Sequence, residues 1–185
     1  MTDTEIRLAT PLEIEDLAFL HSITQLINDS YFETEETLYK PGKRRTNPDE
    51  VKEWLLSKQL YLGFDPATAN DSYPIGSIRL HEVAPGVTDL GILTVHQSQR
   101  GSGLGRRLIA FGEALAVSRG SSTMQLELLV PTLPRTHEFK QYLRRWYEKL
   151  GFVVLKTDTV EAVCPQMIES FEGEVGFLIM QKSLV

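Results

Sequence analysis

Cys164 is the only cysteine among 185 residues, so no internal disulfide can form. The four histidines, His21, His81, His96 and His137, are too far apart for zinc-ligand spacing, so no metal is expected. No apolar run approaches membrane-spanning length, and the start, MTDTEIRLAT, lacks the basic-then-apolar pattern of a secretory signal. The expectation is a reduced, cytoplasmic protein with no membrane partner. Positive charge is short too: the formal net charge of −6 argues against nonspecific attraction to nucleic acid or anionic lipid. A polyphosphate would therefore have to be held by a local cationic patch and oriented amides. Repeats, low-complexity tracts and interdomain linkers are all missing, and residues 1–185 read as one domain with an ordinary 42% hydrophobic content for its core.

What is present alternates strands with helices. TEIRLAT reads as a first strand. Thr10 then stands as N-cap, with Pro11 at the first helical position and Glu13 three residues after the cap. Ile14, Leu17, Ala18, His21 and Ile27 follow at roughly helical spacing, with His21 read as a packed side chain. From Asn28 to Pro48 that pattern fails, and the segment reads as a long polar stretch, either a solvated loop with some helix or a functional one. A second helix is predicted over Pro48–Lys58, then the strand LYLGFD and the turn-rich DPATANDSYP. IGSIRLHEV and VTDLGILTV read as a hairpin closed by Pro85-Gly86. TMQLELLVP is a buried strand. Glu138–Leu150 is amphipathic, with Phe139, Leu143, Trp146 and Leu150 on one face and Gly151 ending it. GFVVLKT and VGFLIMQKSL close the chain as strands, giving an α+β sheet protein.

The stretch QRGSGLGRRL, residues 99–108, lies between an apolar strand and a helix. Glycines there expose consecutive amides, and a helix N-terminus adds favourable partial charge for an anion. A dinucleotide fingerprint would need a third glycine where Arg106 stands, and a P-loop would need Lys-Ser/Thr where Arg106-Arg107 stand. What remains is Arg100-x-x-Gly103-x-Gly105, with Arg100, Arg106 and Arg107 as countercharge. This pattern resembles the pyrophosphate loop of the GNAT superfamily of N-acetyltransferases, Gln/Arg-x-x-Gly-x-Gly/Ala. WYEKLGF, residues 146–152, resembles the Tyr-x-x-x-Gly-Phe ending of that family's next helix. The resemblance covers roughly Leu60–Phe152.

The resemblance implies a central mixed, mostly antiparallel sheet with two splayed parallel strands, flanked by helices, and acetyl-CoA as cosubstrate without a metal. It places the pyrophosphate on Arg100, Gly101, Ser102, Gly103, Leu104, Gly105 and Arg106, and pantetheine along the backbone of Leu93, Thr94 and Val95. The splayed partner is expected to be Met124–Val130. Tyr147 matches the family tyrosine that faces the coenzyme sulphur and reads as general acid, with packing as the alternative. For the base, Glu127 stands ahead of Asp89; a carboxylate in a cleft has its pKa raised towards a useful range. His81 and Glu82 are expected on the acceptor side or on a solvent face. The chain departs from the family in the longer connection VPTLPRTHE, where Arg135 and His137 are expected to reach acceptor or cofactor, and in Lys140, where asparagine is common.

The acceptor is expected to be the primary amine of a small molecule. Asp29, Glu33, Glu35 and Glu36 would attract it, beside an apolar wall of Tyr31, Phe32 and Tyr39; Lys40, Lys43, Arg44 and Arg45 follow in the same segment. A protein N-terminus or lysine is the alternative acceptor. A non-catalytic acyl-CoA-binding module and a plain nucleotide binder are the rival classes. A homodimer through VGFLIM is a further expectation, unless that strand is central.

Overall fold

The computed structural model describes residues 4–65 and 73–184. Most of the turn-rich stretch at 65–74 therefore lies outside the described residues. Strand β1 (Glu5–Arg7) leads to α1 (Pro11–Glu15) through the expected capping box. Thr10 Oγ1 accepts from the Glu13 amide at 3.3 Å, and the Thr10 amide donates to Glu13 Oε2 at 2.7 Å. The chain then breaks at Asp16, whose carboxylate caps α2 (Leu17–Glu35) by accepting from Ala18 and Phe19. This break resets the helical phase. Leu17, Ala18 and His21 are exposed, correcting the face read across 14–27, and Phe19, Leu20, Ile23 and Ile27 are buried instead.

Helix α2 also overruns the point where the apolar pattern stopped. Asn28–Glu35 is helical, with Ile27, Tyr31 and Glu35 stacked at four-residue spacing. A short 3₁₀ turn, Glu36–Leu38, follows, and only residues 40–47 lack regular structure apart from turns. Asn47 caps α3 (Pro48–Leu56), which ends two residues before the expected Lys58. Lys58 itself turns the chain with φ 55°.

The remaining elements are β2 (Leu60–Phe64), β3 (Gly76–Ala84), β4 (Val87–Val95), α4 (Leu104–Ser118), β5 (Thr123–Pro131), α5 (Glu138–Lys149), β6 (Val153–Thr159), α6 (Val160–Val163) and β7 (Val175–Ser183). They form one sheet in the order β1-β2-β3-β4-β5-β7-β6. Every neighbouring pair is antiparallel except β4 with β5. Strand β7 lies between β5 and β6, so VGFLIM is an interior strand and gives no free edge for a dimer.

Both faces of the sheet are covered, which is why β2 is buried along its whole length. Leu60, Leu62 and Phe64 pack with Ile23, Ile27, Val51 and Trp54 of α2 and α3. On the other face Ile78, Leu80, Leu90, Leu126 and Leu128 pack with Leu104, Leu108 and Ile109 of α4 and Tyr147 of α5. A third cluster, Leu38, Leu129, Val160, Phe171, Phe177 and Ile179, closes the β5–β7 end. Among the described residues no helix is long and apolar enough to cross a membrane.

Candidate active site

The parallel pairing of β4 with β5 runs only from Val87–Thr123 to Leu90–Leu126. Strand β4 continues to Val95 and β5 to Pro131, each still bonded on its outer side. The cause of the parting is visible in β4. Between the pairs Ser77–Thr94 and Arg79–Gly91, one residue of β3, Ile78, faces two of β4, Leu93 and Ile92. That count marks a β-bulge, and Ile92 carries it with φ 47°, a strained value for a β-branched residue. The strands separate directly after Leu90, leaving the inner edge of Gly91–Val95 unpaired. A cleft of about 1220 Å³ opens there, lined by residues from both faces of the sheet.

One end of the cleft is the glycine loop. Gly101 (φ 79°) and Gly103 (φ 88°) hold left-handed conformations, and a Cβ on either would meet nothing within 4 Å. The first bond into α4 is donated by the Arg107 amide to Gly103 O, so the amides of Gly103, Gly105 and Arg106 precede the helical ladder. Arg100, Gly101, Gly103, Leu104, Gly105 and Arg106 line the cleft. Ser102 does not line it; its hydroxyl accepts from the Leu104 amide at 3.3 Å. Arg107 leaves the expected cation set, because it donates to Thr4 Oγ1 at 2.7 Å. Arg100 reaches back to Glu33 of α2 at 2.6 Å.

Leu93, Thr94 and Val95 follow along the unpaired edge. Thr94 turns its hydroxyl into the sheet, where it bonds Ser77 Oγ at 2.7 Å, so what it can offer the cleft is backbone. Open amides at a helix N-terminus, a free strand edge beside them and Arg106 nearby fit a coenzyme with a pyrophosphate and an amide-bearing arm.

Tyr147 enters from α5. It packs against Phe152 edge-on at 5.8 Å, and burial pushes its phenol pKa well up, so the proton stays on at neutral pH. Lys140, two turns earlier, is buried and ion-paired with Glu35 of α2; it holds α5 to α2 at the cleft wall. Oε2 of Glu35 is buried without a hydrogen-bond partner among the described residues. The connection before α5 acts differently from expectation. Arg135 donates to the carbonyls of Glu172 and Thr37, His137 occupies the N-cap position, and neither lines the cleft.

At the far end lie His81, Asp89 and Glu127. Asp89 is buried, and burial together with nearby Glu127 raises its pKa to about 8, against the pull of Arg79. Burial and Arg79 lower His81 to about 4. Their 3.8 Å approach is thus a contact of two neutral groups at pH 7, not an ion pair. Asp89 Oδ1 and His81 Nδ1 are both buried without a hydrogen-bond partner among the described residues. Glu127 is solvent-accessible along the cleft, and partial desolvation raises its pKa despite Arg45. Glu82 is outside the cleft and accepts from the Gly86 amide at the hairpin turn.

Of the acidic cluster Asp29, Glu33, Glu35 and Glu36, only Glu35 reaches the cleft, already paired with Lys140. Tyr31 and Tyr39 form the expected wall; Phe32 is turned to solvent. Residues unforeseen from sequence also line this end: Arg79, Trp54, Cys164, Met167 and Phe171, with Arg45 reaching it from the basic run. Strand alternation puts Arg79 on the same face as His81 and was a usable signal; no local pattern brings Cys164 or Phe171 there. Among the described residues no group of three or more His, Cys, Asp or Glu is placed to hold a metal ion.

Residues 67–154 match the family model described as an acetyltransferase (GNAT) domain. No curated protein matches the chain. Among solved structures, an aminoglycoside 6'-N-acetyltransferase complexed with coenzyme A superposes with a TM-score of 0.68 at 15% identity, covering 98% of this chain and 97% of that one. YncA from Salmonella typhimurium, solved with acetyl-CoA, gives 0.66 at 18% identity over 99% and 95%. A chain of the NatC complex bound to Gag peptide and CoA gives 0.66 at 15% identity over 99% of each. The resemblance carried by Arg100–Gly105 and Trp146–Phe152 is thus met by an acetyltransferase (GNAT) domain model that spans both motifs and by a fold shared along the whole chain with solved acetyltransferases.

Proposed function

We propose that the protein transfers an acetyl group from acetyl-CoA to the primary amine of a small molecule in the cytoplasm. The observation that carries this reading is the cleft itself. It runs from open amides at the start of α4, past an unpaired strand edge and a protonated tyrosine, to two carboxyl groups of raised pKa. Acetyl-CoA supplies the activated acyl group. The amine nitrogen forms a bond to the acetyl carbon as the carbon–sulphur bond breaks, and the electron pair leaves on sulphur. Asp89 takes the proton that the ammonium must lose first; a base poised near working pH suits this step. Glu127, nearby and accessible, steadies the incoming cation. Tyr147, buried beside Phe152, gives its proton to the departing thiolate and regains one as the new amide nitrogen sheds its second proton, so the products are the amide and the free thiol.

Thermal unfolding with acetyl-CoA, ATP and NAD in separate wells tests the cosubstrate. A ligand about a hundredfold above its dissociation constant adds roughly 2.7 kcal/mol, which is about 5–11 °C for a domain of this size. A shift with acetyl-CoA alone supports the reading, and a larger shift with a plain nucleotide removes it. Tyr147→Phe then separates the enzyme from a passive acyl-CoA binder. Turnover should fall about 10²–10³-fold while acetyl-CoA affinity changes little. Equal rates at saturation would assign Tyr147 to packing.

A further inference from the structure

Four ionisable side chains at the acceptor end of the cleft do not close on one another: Arg45, Arg79, Asp89 and Glu127. Among the described residues none of them is in an ion pair with any lysine, arginine, aspartate or glutamate. Elsewhere the chain pairs such groups readily, as Arg7 with Glu13, Arg100 with Glu33 and Lys140 with Glu35. At Arg79 desolvation outweighs the nearby acids and disfavours the charge, whereas Glu35 and Glu50 support Arg45 without contacting it; a desolvated guanidinium with no direct carboxylate partner needs an explanation.

Both arginines are held ready rather than loose. Arg79 gives its Nε and Nη2 to Gln59 Oε1, at 3.0 and 2.7 Å, and stacks 5.0 Å over Trp54, which leaves Nη1 as its free edge. Arg45 lies over the Tyr31 ring at 5.3 Å. Its segment is pinned to α2 by Asn28, whose Oδ1 accepts from the Arg45 and Thr46 amides and whose Nδ2 donates to Thr46 O. The two guanidinium groups are near enough for Arg45 to oppose the charge on Arg79. An anion between them would relieve that repulsion, and arginine forks match a carboxylate in two-point geometry.

Resting on the acetyltransferase reading, we infer that the acceptor is an amphoteric small molecule, a primary amine that also carries a carboxylate. Its amine faces Asp89 and Glu127, and its carboxylate is held by Arg45 and Arg79. The acidic segment expected to draw in a simple cationic amine has no free acid in the cleft, whereas Arg45 from the basic half of that segment is there.

The experiment measures thiol release from acetyl-CoA with matched acceptors. These are α-, β- and longer amino acids, their decarboxylated amines, their carboxamides and the corresponding aminoalkylphosphonates. The best amino acid should exceed its amine and its amide in kcat/KM by at least about tenfold. Arg45→Gln should raise KM for that amino acid by roughly 10- to 100-fold, change KM for the matched amine by far less, and preserve the melting shift with acetyl-CoA. Amines or amides that match the amino acids, or a preference untouched by Arg45→Gln, would overturn the inference. So would turnover of no amino acid by a protein that still binds acetyl-CoA. A phosphonate that outruns its carboxylate counterpart would overturn the carboxylate assignment. Wild-type protein that shows no shift with acetyl-CoA loses the acetyltransferase reading first and the acceptor with it, so the two failures are told apart.

Discussion

Asp89 shows how a single position sets both chemistry and stability. In the native state its carboxyl keeps a proton up to about pH 8, whereas the ordinary value is 3.8. The folded protein therefore binds more protons than the unfolded chain between these values, and stability falls as pH rises through that window. Asp89→Asn should remove this slope and stabilise the protein at pH 8 by on the order of a few kcal/mol. Denaturant midpoints of both proteins from pH 4 to 9 would check it; parallel curves would mean that Asp89 titrates normally. In activity the sign is opposite, since the base works only once deprotonated. The rate should climb through about pH 8 in wild type, and Asp89→Asn should lose most activity along with that limb. Residues of this kind were only half legible. Asp89 and Glu127 stand out as carboxylates in apolar strands, but which one is buried depends on neighbours from β3 and α2 that no spacing rule names.

Among the elements, the α4 loop was the most legible because its signal is local: glycines at 101 and 103 are demanded by backbone angles within five residues of each other. Gly103→Glu should bring a side chain and a charge into the open space above the helix start, abolishing acetyl-CoA binding in calorimetry. The left-handed backbone adds about 1–2 kcal/mol of destabilisation, so the variant should still fold. Helix α2 was misjudged at both ends for a physical reason. Asp16 serves as cap between two helices rather than as part of one, and the polar face of Asn28–Glu35 hides a helix whose inner stripe is Ile27, Tyr31 and Glu35. The pairing of that stripe with α5 spans 105 residues of sequence and leaves no local trace. Lys140→Met alone should cost about 3–5 kcal/mol by stranding the buried Glu35 charge, and adding Glu35→Met should recover much of it. A thermal melt of the single and double variants decides; equal melting points would mean that the pair is solvated and idle.

For the whole molecule, the succession of strands and helices along the chain follows from the alternation of apolar runs with turns, and that much was readable; the sheet order, with β7 inside β6, was not. The bulge at Ile92 was not, since nothing in GILTV marks an extra residue until β3 is laid beside it. Yet this bulge decides the architecture. Strands β1–β4 and β5–β7 form two half-sheets that share a single stretch of four parallel pairs, Val87–Leu90 with Thr123–Leu126. Arg45 and Asp89 come from the chain up to β4, the glycine loop from the connection between the two half-sheets, and Glu127, Lys140 and Tyr147 from β5 onward. The site is therefore a seam. Its width is set by how Leu90 and Leu126, the chain neighbours of Asp89 and Glu127, meet under α4, so a volume change at that joint would reach coenzyme and acceptor together and shift both affinities in step.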